Sequence, residues 1–167
     1  MPIRLAQPND AAAIAEIYNQ GIEDRTSTFE TLPRAAEEIL GRISSMERYP
    51  YLVYVDKRGQ VVAWANLSRY RARACYDGVA DFSIYLHRDV RGRGIGKRLL
   101  LALLDEAEKR GFWKLLSRIF TFNAASLALC RSCGFRQVGI YEKHACLDGR
   151  WLDCVIVERL VPSNQPE

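Results

Sequence analysis

The chain has 167 residues, of which 49% are hydrophobic and 26% are charged, and its formal net charge at pH 7 is +4. This length and composition are typical of one globular domain with its own core, and they exclude a disordered chain. The mild positive charge suits an anionic ligand and does not by itself indicate nucleic acid binding. Because no apolar run approaches a membrane span and the first residues lack a signal-peptide core, we expect a cytoplasmic protein without a membrane partner.

The first part of the chain is predicted to form a short strand followed by two helices. The strand covers residues 3–5, where apolar and polar side chains alternate. Asn9 or Asp10 is a suitable N-cap for the first helix, and Pro33 is predicted to begin the second, because proline is favoured at the first helical position. Between the helices, residues 23–30 are polar and show no periodicity, so we expect a loop there.

The middle of the chain is predicted to form three consecutive strands. Residues 51–55 and 61–67 form a hairpin around the turn at 56–59, and a basic loop over 68–78 leads to a strand over 80–86. Alternation in this last strand places two sets of side chains on opposite faces of the sheet. One face carries Asp81, Ser83 and Tyr85, and the other carries Phe82, Ile84 and Leu86.

The last part of the chain alternates helices and strands. The predicted elements are a helix over 95–110, a strand over 115–122, a helix over 123–130 and a hairpin of strands over 135–147 and 151–160. The resulting order, β-α-α-β-β-β-α-β-α-β-β, predicts a single α/β domain with a mixed, twisted sheet of about seven strands and flanking helices. We assign residues 1–162 to this domain and residues 163–167 to a loose tail.

A glycine-rich, basic segment over residues 90–100 joins the strand over 80–86 to the following helix. Bare N–H groups at a helix start, together with the helix dipole, favour binding of a phosphate group. The spacing Gly92-x-Gly94-x-Gly96 is not the Gly-x-Gly-x-x-Gly of a dinucleotide site, and Arg98 stands where a nucleotide P-loop has Ser or Thr. Both nucleotide sites are therefore excluded, and another phosphate-bearing cofactor is indicated.

The cysteine pattern gives little sign of redox or metal chemistry. The five cysteines are Cys75, Cys130, Cys133, Cys146 and Cys154, and the chain has only two histidines. An odd count in a chain without an export signal argues against a disulfide framework. No second Cys or His pair completes a zinc site with Cys130-x-x-Cys133. We therefore expect no metal and predict that all five thiols are buried or half-buried.

Two motifs resemble those of the GNAT superfamily of N-acetyltransferases. They are the acyl-CoA pyrophosphate loop Arg91-x-x-Gly94-x-Gly96 and the stretch Asn123-x-x-Ser126-x-x-Leu129-Cys130-x-x-x-Gly134-Phe135. Residues 17–29, 76–85 and 147–153 resemble the phosphinothricin, arsinothricin and methionine-sulfone N-acetyltransferases within that superfamily. The resemblance covers nearly the whole chain. It implies the GNAT fold and transfer of an acetyl group to the α-amino group of a small amino acid or amino-acid-like antimetabolite.

The resemblance also implies acetyl-CoA as the cofactor and assigns residues to it. Backbone groups of Ile84 and Leu86 pair with the pantetheine arm, and Asn123 contacts it from the other side, with Ser126 of the same motif in the cofactor site. Backbone amides of the glycine loop bind the pyrophosphate. The loop residues assigned in this way are Arg91, Gly92, Arg93, Gly94, Gly96 and Lys97.

Two carboxylates are candidates for the catalytic group that takes a proton from the attacking amine. Asp81 lies ten residues before Arg91, at a position where similar proteins often have Glu. Glu23 is the alternative, on the loop expected to cover the site. Cys130 stands where many GNAT enzymes have Tyr and the phosphinothricin group has His. Because a thiol is a weak donor, we expect no essential general acid.

The substrate is expected to carry a second anionic or strongly polar group. Arg71 and Arg73 are two residues apart, so an extended loop would direct both guanidinium groups to one side and allow bidentate binding of acidic oxygens. Phe29 is a candidate wall of the substrate pocket, and Thr28 is a candidate hydrogen-bond donor. These four residues are the predicted substrate-binding set.

Three other functions stay open on the sequence alone. They are acetylation of protein N-termini or lysines, a non-catalytic CoA-binding module, and nucleic acid binding through the arginines between residues 69 and 98. The covering loop disfavours a wide peptide groove, and the basic segment has few interleaved aromatic residues, so we expect no nucleic acid partner. The resemblance to the subgroup implies a homodimer.

Overall fold

The computed structural model describes residues 2–165, which form one mixed sheet with helices on both faces. The strands are β1 (Ile3–Leu5), β2 (Tyr51–Val55), β3 (Val61–Arg69), β4 (Val79–Leu86), β5 (Lys114–Phe120), β6 (Arg136–Leu147) and β7 (Arg150–Leu160). The helices are α1 (Ala11–Asp24), α2 (Ala36–Ser44), α3 (Ile95–Lys109) and α4 (Ala124–Ser132). The order of elements and the mixed seven-stranded sheet confirm the predicted fold class.

The sheet opens at its centre. Its strands lie in the order β1-β2-β3-β4-β5-β7-β6, and of the pairs in the described chain only β4 and β5 run parallel. These two strands, joined by α3, pair only over residues 79–81 and 114–116. Beyond Asp81 they separate, while β4 stays paired with β3 as far as Leu86. A cleft therefore forms between the ends of β4 and β5.

Alternation along the strands builds a separate core on each face of the sheet. The larger core combines Phe82 of β4 and the fully buried Phe112 with four leucines of α3, namely Leu99, Leu100, Leu103 and Leu104. The smaller core combines Trp64 of β3 with apolar side chains of α1 and α2, and Tyr85 packs against it. The predicted two-faced alternation of β4 is therefore confirmed, and Trp64 is a core residue.

The first helix is longer than predicted. It continues to Asp24 and is closed by Arg25, whose φ of 57° lies in the left-handed region. Glu23 is therefore helical, and the prediction that places it on a loop over 23–30 is wrong. The polar sequence misled the assignment because the last turn of the helix lies at the surface, where polar side chains are normal.

The second helix begins at Ala36 and not at Pro33, so the predicted start is also wrong. The cause is a tertiary contact. The Arg34 backbone N–H and C=O are both hydrogen-bonded to the side chain of Asn19 on α1, which holds this residue outside the helix. Periodicity within a segment does not reveal a contact of this kind.

The prediction that all five thiols are buried or half-buried is correct for three cysteines and wrong for two. Cys130, Cys133 and Cys154 are buried, whereas Cys75 and Cys146 are exposed. The first exposed thiol lies in a short 3-10 turn, Ala74–Tyr76, within the basic loop. The second lies on β6, the last strand of the sheet, along which nearly every side chain is exposed.

The C-terminal residues of the described chain are attached to the domain. Pro162–Asn164 forms a 3-10 turn, and the Asn164 side-chain amide donates to the carbonyl groups of Glu108 and Phe112. Of the tail predicted over 163–167, residues 166 and 167 lie outside the described residues. Between residues 2 and 165, no helix is long and apolar enough to cross a membrane, and no cluster of three or more His, Cys, Asp or Glu side chains is placed to hold a metal ion.

Candidate active site

The turn before α3 exposes the first amides of that helix. Gly92 and Gly94 have φ angles of 74° and 77°, in the left-handed region that favours glycine, and a Cβ built on either would meet open space. Gly94 is the N-cap residue and provides no side-chain cap. The N–H groups of the first turn of α3 are therefore accessible, and the helix dipole favours an anion beside them.

A groove of about 670 Å³ runs from this turn past the end of β4 to α4, and we call it the cofactor groove. Gly96 brings α3 close to α4, because a Cβ there would lie 3.2 Å from Leu129 Cδ2. The groove is lined by nine of the predicted cofactor residues, namely Ile84, Leu86, Arg91, Gly92, Gly94, Gly96, Lys97, Asn123 and Ser126. The tenth, Arg93, does not line it.

Two polar side chains of the cofactor groove are already engaged within the protein. Arg91 donates through Nε to a β4 carbonyl at 3.2 Å and pairs with Asp24 at 2.8 Å. Asn123 accepts from the Ser126 N–H at 3.1 Å and donates to the Thr26 carbonyl at 3.0 Å. The Arg91 guanidinium is therefore held by contacts within the protein, and Asn123 both caps α4 and attaches the segment that follows α1.

A passage of about 100 Å³ lies between the separating ends of β4 and β5. Its lining includes Cys130, which is 2% exposed. Burial, and to a lesser extent the neighbouring Cys133, raises the pKa of the Cys130 thiol to about 12. This thiol is therefore protonated at neutral pH and does not act as a nucleophile or a ready proton donor.

The opposite face of the sheet carries a cavity of about 470 Å³, which we call the polar cavity. Its floor consists of side chains from alternate residues of neighbouring strands, which point to one face. In the β3–β4 register, Trp64 lies opposite Tyr85, Asn66 opposite Ser83 and Ser68 opposite Asp81. A more open groove of about 720 Å³, lined by Arg71 and Asp81, adjoins the polar cavity through Arg118 and His144. We call it the adjoining groove.

Asp81 lies where β4 and β5 begin to separate. Its Oδ1 is 3.2 Å from a guanidinium nitrogen of Arg118, and its side chain is 17% exposed. Burial raises the pKa of Asp81, and the charges of Arg118 and Arg71 oppose that rise. Because arginine stays protonated, the pair keeps Asp81 available as a carboxylate whose raised pKa makes it a better proton acceptor.

Residues 25–35, which we call the roof segment, cover the polar cavity. Asn19 of α1 holds this segment, because its Oδ1 accepts from the Arg34 N–H at 2.8 Å and its Nδ2 donates to the Arg34 carbonyl at 3.0 Å. The hydroxyl groups of Tyr18 and Thr28 are 3.2 Å apart. One side of the cavity is therefore covered by a segment with fixed attachments to α1.

One wall of the polar cavity is aromatic. Phe29 packs edge-to-face on Phe120, with ring centroids 4.7 Å apart. His144 joins this wall from β6, where Lys143 has a φ of 47° and donates its N–H to Asp153 Oδ1 at 2.7 Å. The bulge thus formed in β6 turns His144 over the cavity.

Three predicted residues lie apart from these cavities or at their margin. Glu23 is 67% exposed and pairs with Arg88 at 2.7 Å, outside the polar cavity, the adjoining groove and the cofactor groove. Arg71 lines the adjoining groove, whereas Arg73 does not. The two arginines do not line the same groove, because the segment is not extended as predicted: the chain bends at Ala72 and Arg73 before the 3-10 turn begins at Ala74.

Sequence reasoning missed Arg118, Asn19 and His144. Arg118 had a detectable signal, because it is the one charged residue in the mostly apolar strand over 115–120. Asn19 and His144 had no comparable signal. Their placement depends on contacts with distant segments and on a strand bulge, and neither is visible in local periodicity.

The comparison with protein families agrees with this geometry. A family model described as "Acetyltransferase (GNAT) domain" matches residues 3–156. The chain therefore belongs to the GNAT acetyltransferase family and is an acyltransferase, which confirms the resemblance identified from the sequence.

Individual relatives cover most of the chain. It is 31% identical over 160 residues to the phosphinothricin N-acetyltransferase of Alcaligenes faecalis, covering 94% of this chain and 81% of that protein. It is 31% identical over 158 residues to the L-methionine sulfoximine/L-methionine sulfone acetyltransferase of Pseudomonas aeruginosa, covering 93% and 92%. A phosphinothricin acetyltransferase from Sinorhizobium meliloti, solved in complex with AcCoA, superposes with a TM-score of 0.90 at 34% identity, covering 96% and 89%.

Proposed function

We propose that this protein transfers the acetyl group of acetyl-CoA to the α-amino group of a small amino acid of the phosphinothricin, methionine sulfoximine and methionine sulfone type. The observation that carries this proposal is the passage between β4 and β5. It shares Ser27 and Tyr85 with the cofactor groove on one face and with the polar cavity on the other. An amine in the cavity and a thioester in the groove would therefore meet within the sheet.

The residues of the cofactor groove fit acetyl-CoA. Gly92 and Gly94 leave the helix start open to a pyrophosphate, and Lys97 adds a positive charge there. The end of β4 lies beyond its pairing with β5, so its backbone is open to an extended pantetheine arm. Acetyl-CoA supplies the acetyl group as a thioester.

We assign the proton transfer to Asp81. A free α-amino group has a pKa of about 8, so a modest base is sufficient to take its proton, directly or through one water. Arg118 keeps Asp81 charged, and Arg71 is placed to bind the carboxylate of the substrate. Glu23 lines none of the three cavities and is paired with Arg88, so we do not assign it this role. Cys130 donates no proton, and the CoA thiolate leaves unassisted because its pKa is close to the ~8.5 of an ordinary thiol.

The covered shape of the polar cavity favours a small substrate over a protein terminus or a lysine side chain. The roof segment and the aromatic wall leave a cavity of about 470 Å³, which fits one amino acid.

The test is release of CoA thiol from acetyl-CoA with a panel of phosphinothricin, arsinothricin, methionine sulfone, methionine sulfoximine and glutamate. We expect turnover with at least one of phosphinothricin, arsinothricin, methionine sulfone and methionine sulfoximine. We also expect a large loss of kcat in Asp81→Asn, with acetyl-CoA binding retained. Asp105→Asn, on the exposed side of α3, is the matched control. Turnover with peptides but with no amino acid would contradict the proposal, and an unchanged kcat in Asp81→Asn would remove the base assignment.

A cytoplasmic homodimer is part of the same proposal. Val138, Ile140 and Tyr141 on the edge strand β6, and Trp151 on β7 opposite Cys146, are exposed large apolar side chains. Exposed apolar side chains concentrated at one edge of a sheet favour a subunit contact. Light scattering on the purified protein should give twice the mass of one chain, and a monomer at micromolar concentration would contradict this part.

A further inference from the structure

Two hydrogen-bond donors of the polar cavity have no partner. The indole Nε1 of Trp64 and the Nε of Arg34 are buried atoms that make no hydrogen bond within the described protein, and both residues line the cavity. Trp64 is only 5% exposed. Buried donors are almost always satisfied, so a pair of unsatisfied donors around one cavity indicates an acceptor that arrives with a ligand.

Neither donor can turn away to find another partner. The Trp64 ring stacks between Tyr51 and Tyr85, with centroid distances of 5.8 and 5.0 Å. The terminal nitrogens of Arg34 are bound to Glu30 and Glu38. Asn19 holds the Arg34 backbone as well. Both N–H groups are therefore fixed in place before any ligand binds.

The charges around the donors define the kind of acceptor. Arg34 pairs with Glu30 and Glu38, and Arg42 also pairs with Glu38, so the two positive charges are balanced by two negative ones. The site therefore offers N–H groups without a large net charge. Such a site suits an oxygen acceptor, as found in a sulfone, sulfoximine, phosphinate or carboxylate, and does not require a full negative charge.

The donors lie on the same face of the sheet as Asp81. Trp64 lies four residues along β3 from Ser68, the residue opposite Asp81. Four residues of strand span about 13 Å, and side chains on one face stand roughly perpendicular to the sheet. An amino acid whose amine is on the Asp81 side of the polar cavity can therefore extend its side chain along this face toward Trp64.

We propose that Trp64 Nε1 and Arg34 Nε form a side-chain subsite that donates hydrogen bonds to an oxygen acceptor at the end of the substrate's side chain. The subsite rests on the proposed function, since it selects among amino acids that the enzyme acetylates. It makes Trp64 and Arg34 specificity-determining residues, separate from the assignment of Asp81 to the proton transfer.

The experiment compares methionine sulfone with methionine, because the two differ only in the acceptor oxygens. The readout is the ratio of kcat/KM for the sulfone to kcat/KM for methionine. Trp64→Phe keeps a stacked ring and removes the N–H, and Arg34→Lys keeps the charge and removes the donor at the ε position. We expect each variant to lower the ratio by about tenfold, mainly through KM of the sulfone. Trp113→Phe, a tryptophan packed over Gly78 outside the cavities, should leave it unchanged.

The two variants also separate the possible failures. An unchanged ratio in either properly folded variant, checked by thermal unfolding, overturns the subsite. Equal loss for both amino acids overturns it too, because that result indicates a general packing defect. If wild type acetylates methionine and the sulfone equally, the subsite is refuted and the proposed function stands. If wild type acetylates no amino acid, both are refuted.

Discussion

The attachment of the roof segment to Asn19 can be tested by Asn19→Ala. The substitution removes two hydrogen bonds to the Arg34 backbone, at 2.8 and 3.0 Å. At about 1 kcal/mol each, their loss costs about 2 kcal/mol, and the better helix propensity of alanine returns about 0.7 kcal/mol. We therefore expect the free energy of unfolding to fall by about 1.3 kcal/mol, which lowers Tm by about 3–5 °C in a domain of this size.

The functional effect should fall mainly on binding of the amino acid. The roof segment contributes Thr28 and Phe29 to the polar cavity. When this segment is less firmly attached, part of the binding energy of the amino acid is used to order it, which weakens binding of the amino acid. We expect KM for the amino acid to rise by up to about tenfold. KM for acetyl-CoA should change much less, because Asn123 still holds the Thr26 carbonyl beside the cofactor groove.

Steady-state kinetics with each substrate varied separately, together with thermal unfolding, measures both effects. The matched control is Gln20→Ala on the same helix, where the lost contact is a hydrogen bond to the Arg88 N–H and not to the roof. Equal increases in both KM values, or an amino-acid KM like that of wild type despite the lowered Tm, would refute the reasoning.

Three further predictions concern the other parts of the site. Gly94→Val forces a branched residue to a φ of 77°, at a cost of about 1–2 kcal/mol, and should weaken acetyl-CoA binding measured by calorimetry while amino-acid KM is kept. Arg71→Ala should raise amino-acid KM by about tenfold, whereas Arg73→Ala should behave like wild type, since only Arg71 lines the adjoining groove. Asp81→Asn should unfold at a higher denaturant concentration than wild type at pH 7. Because the pKa of Asp81 is raised in the folded protein, its ionised form destabilises the fold. This advantage of the variant should shrink as the pH falls below the raised pKa and be lost below the ordinary pKa of aspartate.

Much of the architecture was predictable because its signals are local. The alternation of β4 depends on side chains two residues apart, and it correctly separated Asp81 and Ser83 from the core residues of the opposite face. The glycine turn before α3 was predictable for the same reason. Positive φ angles at Gly92 and Gly94 are a property of a few consecutive residues.

The parts that were not predictable depend on contacts between distant segments. The start of α2 is set by Asn19, fifteen residues before Arg34. Asp81 on β4 pairs with Arg118 on β5, and these two strands are separated in the sequence by α3. Exposure of the Cys146 thiol was likewise not predictable, because the sequence does not show that β6 is an edge strand. The short turn after Arg73 was hidden in a loop without periodicity.

Ser27 has a consequence for how the two substrates influence each other. It lines both the cofactor groove and the polar cavity, and its carbonyl accepts from the Tyr85 hydroxyl at 3.5 Å. A ligand in one of these two sites that fixes the position of Ser27 also fixes the same backbone in the other site. Thermodynamic linkage then requires the coupling to be reciprocal, so that bound acetyl-CoA raises the affinity for the amino acid by the same factor that the amino acid raises the affinity for acetyl-CoA.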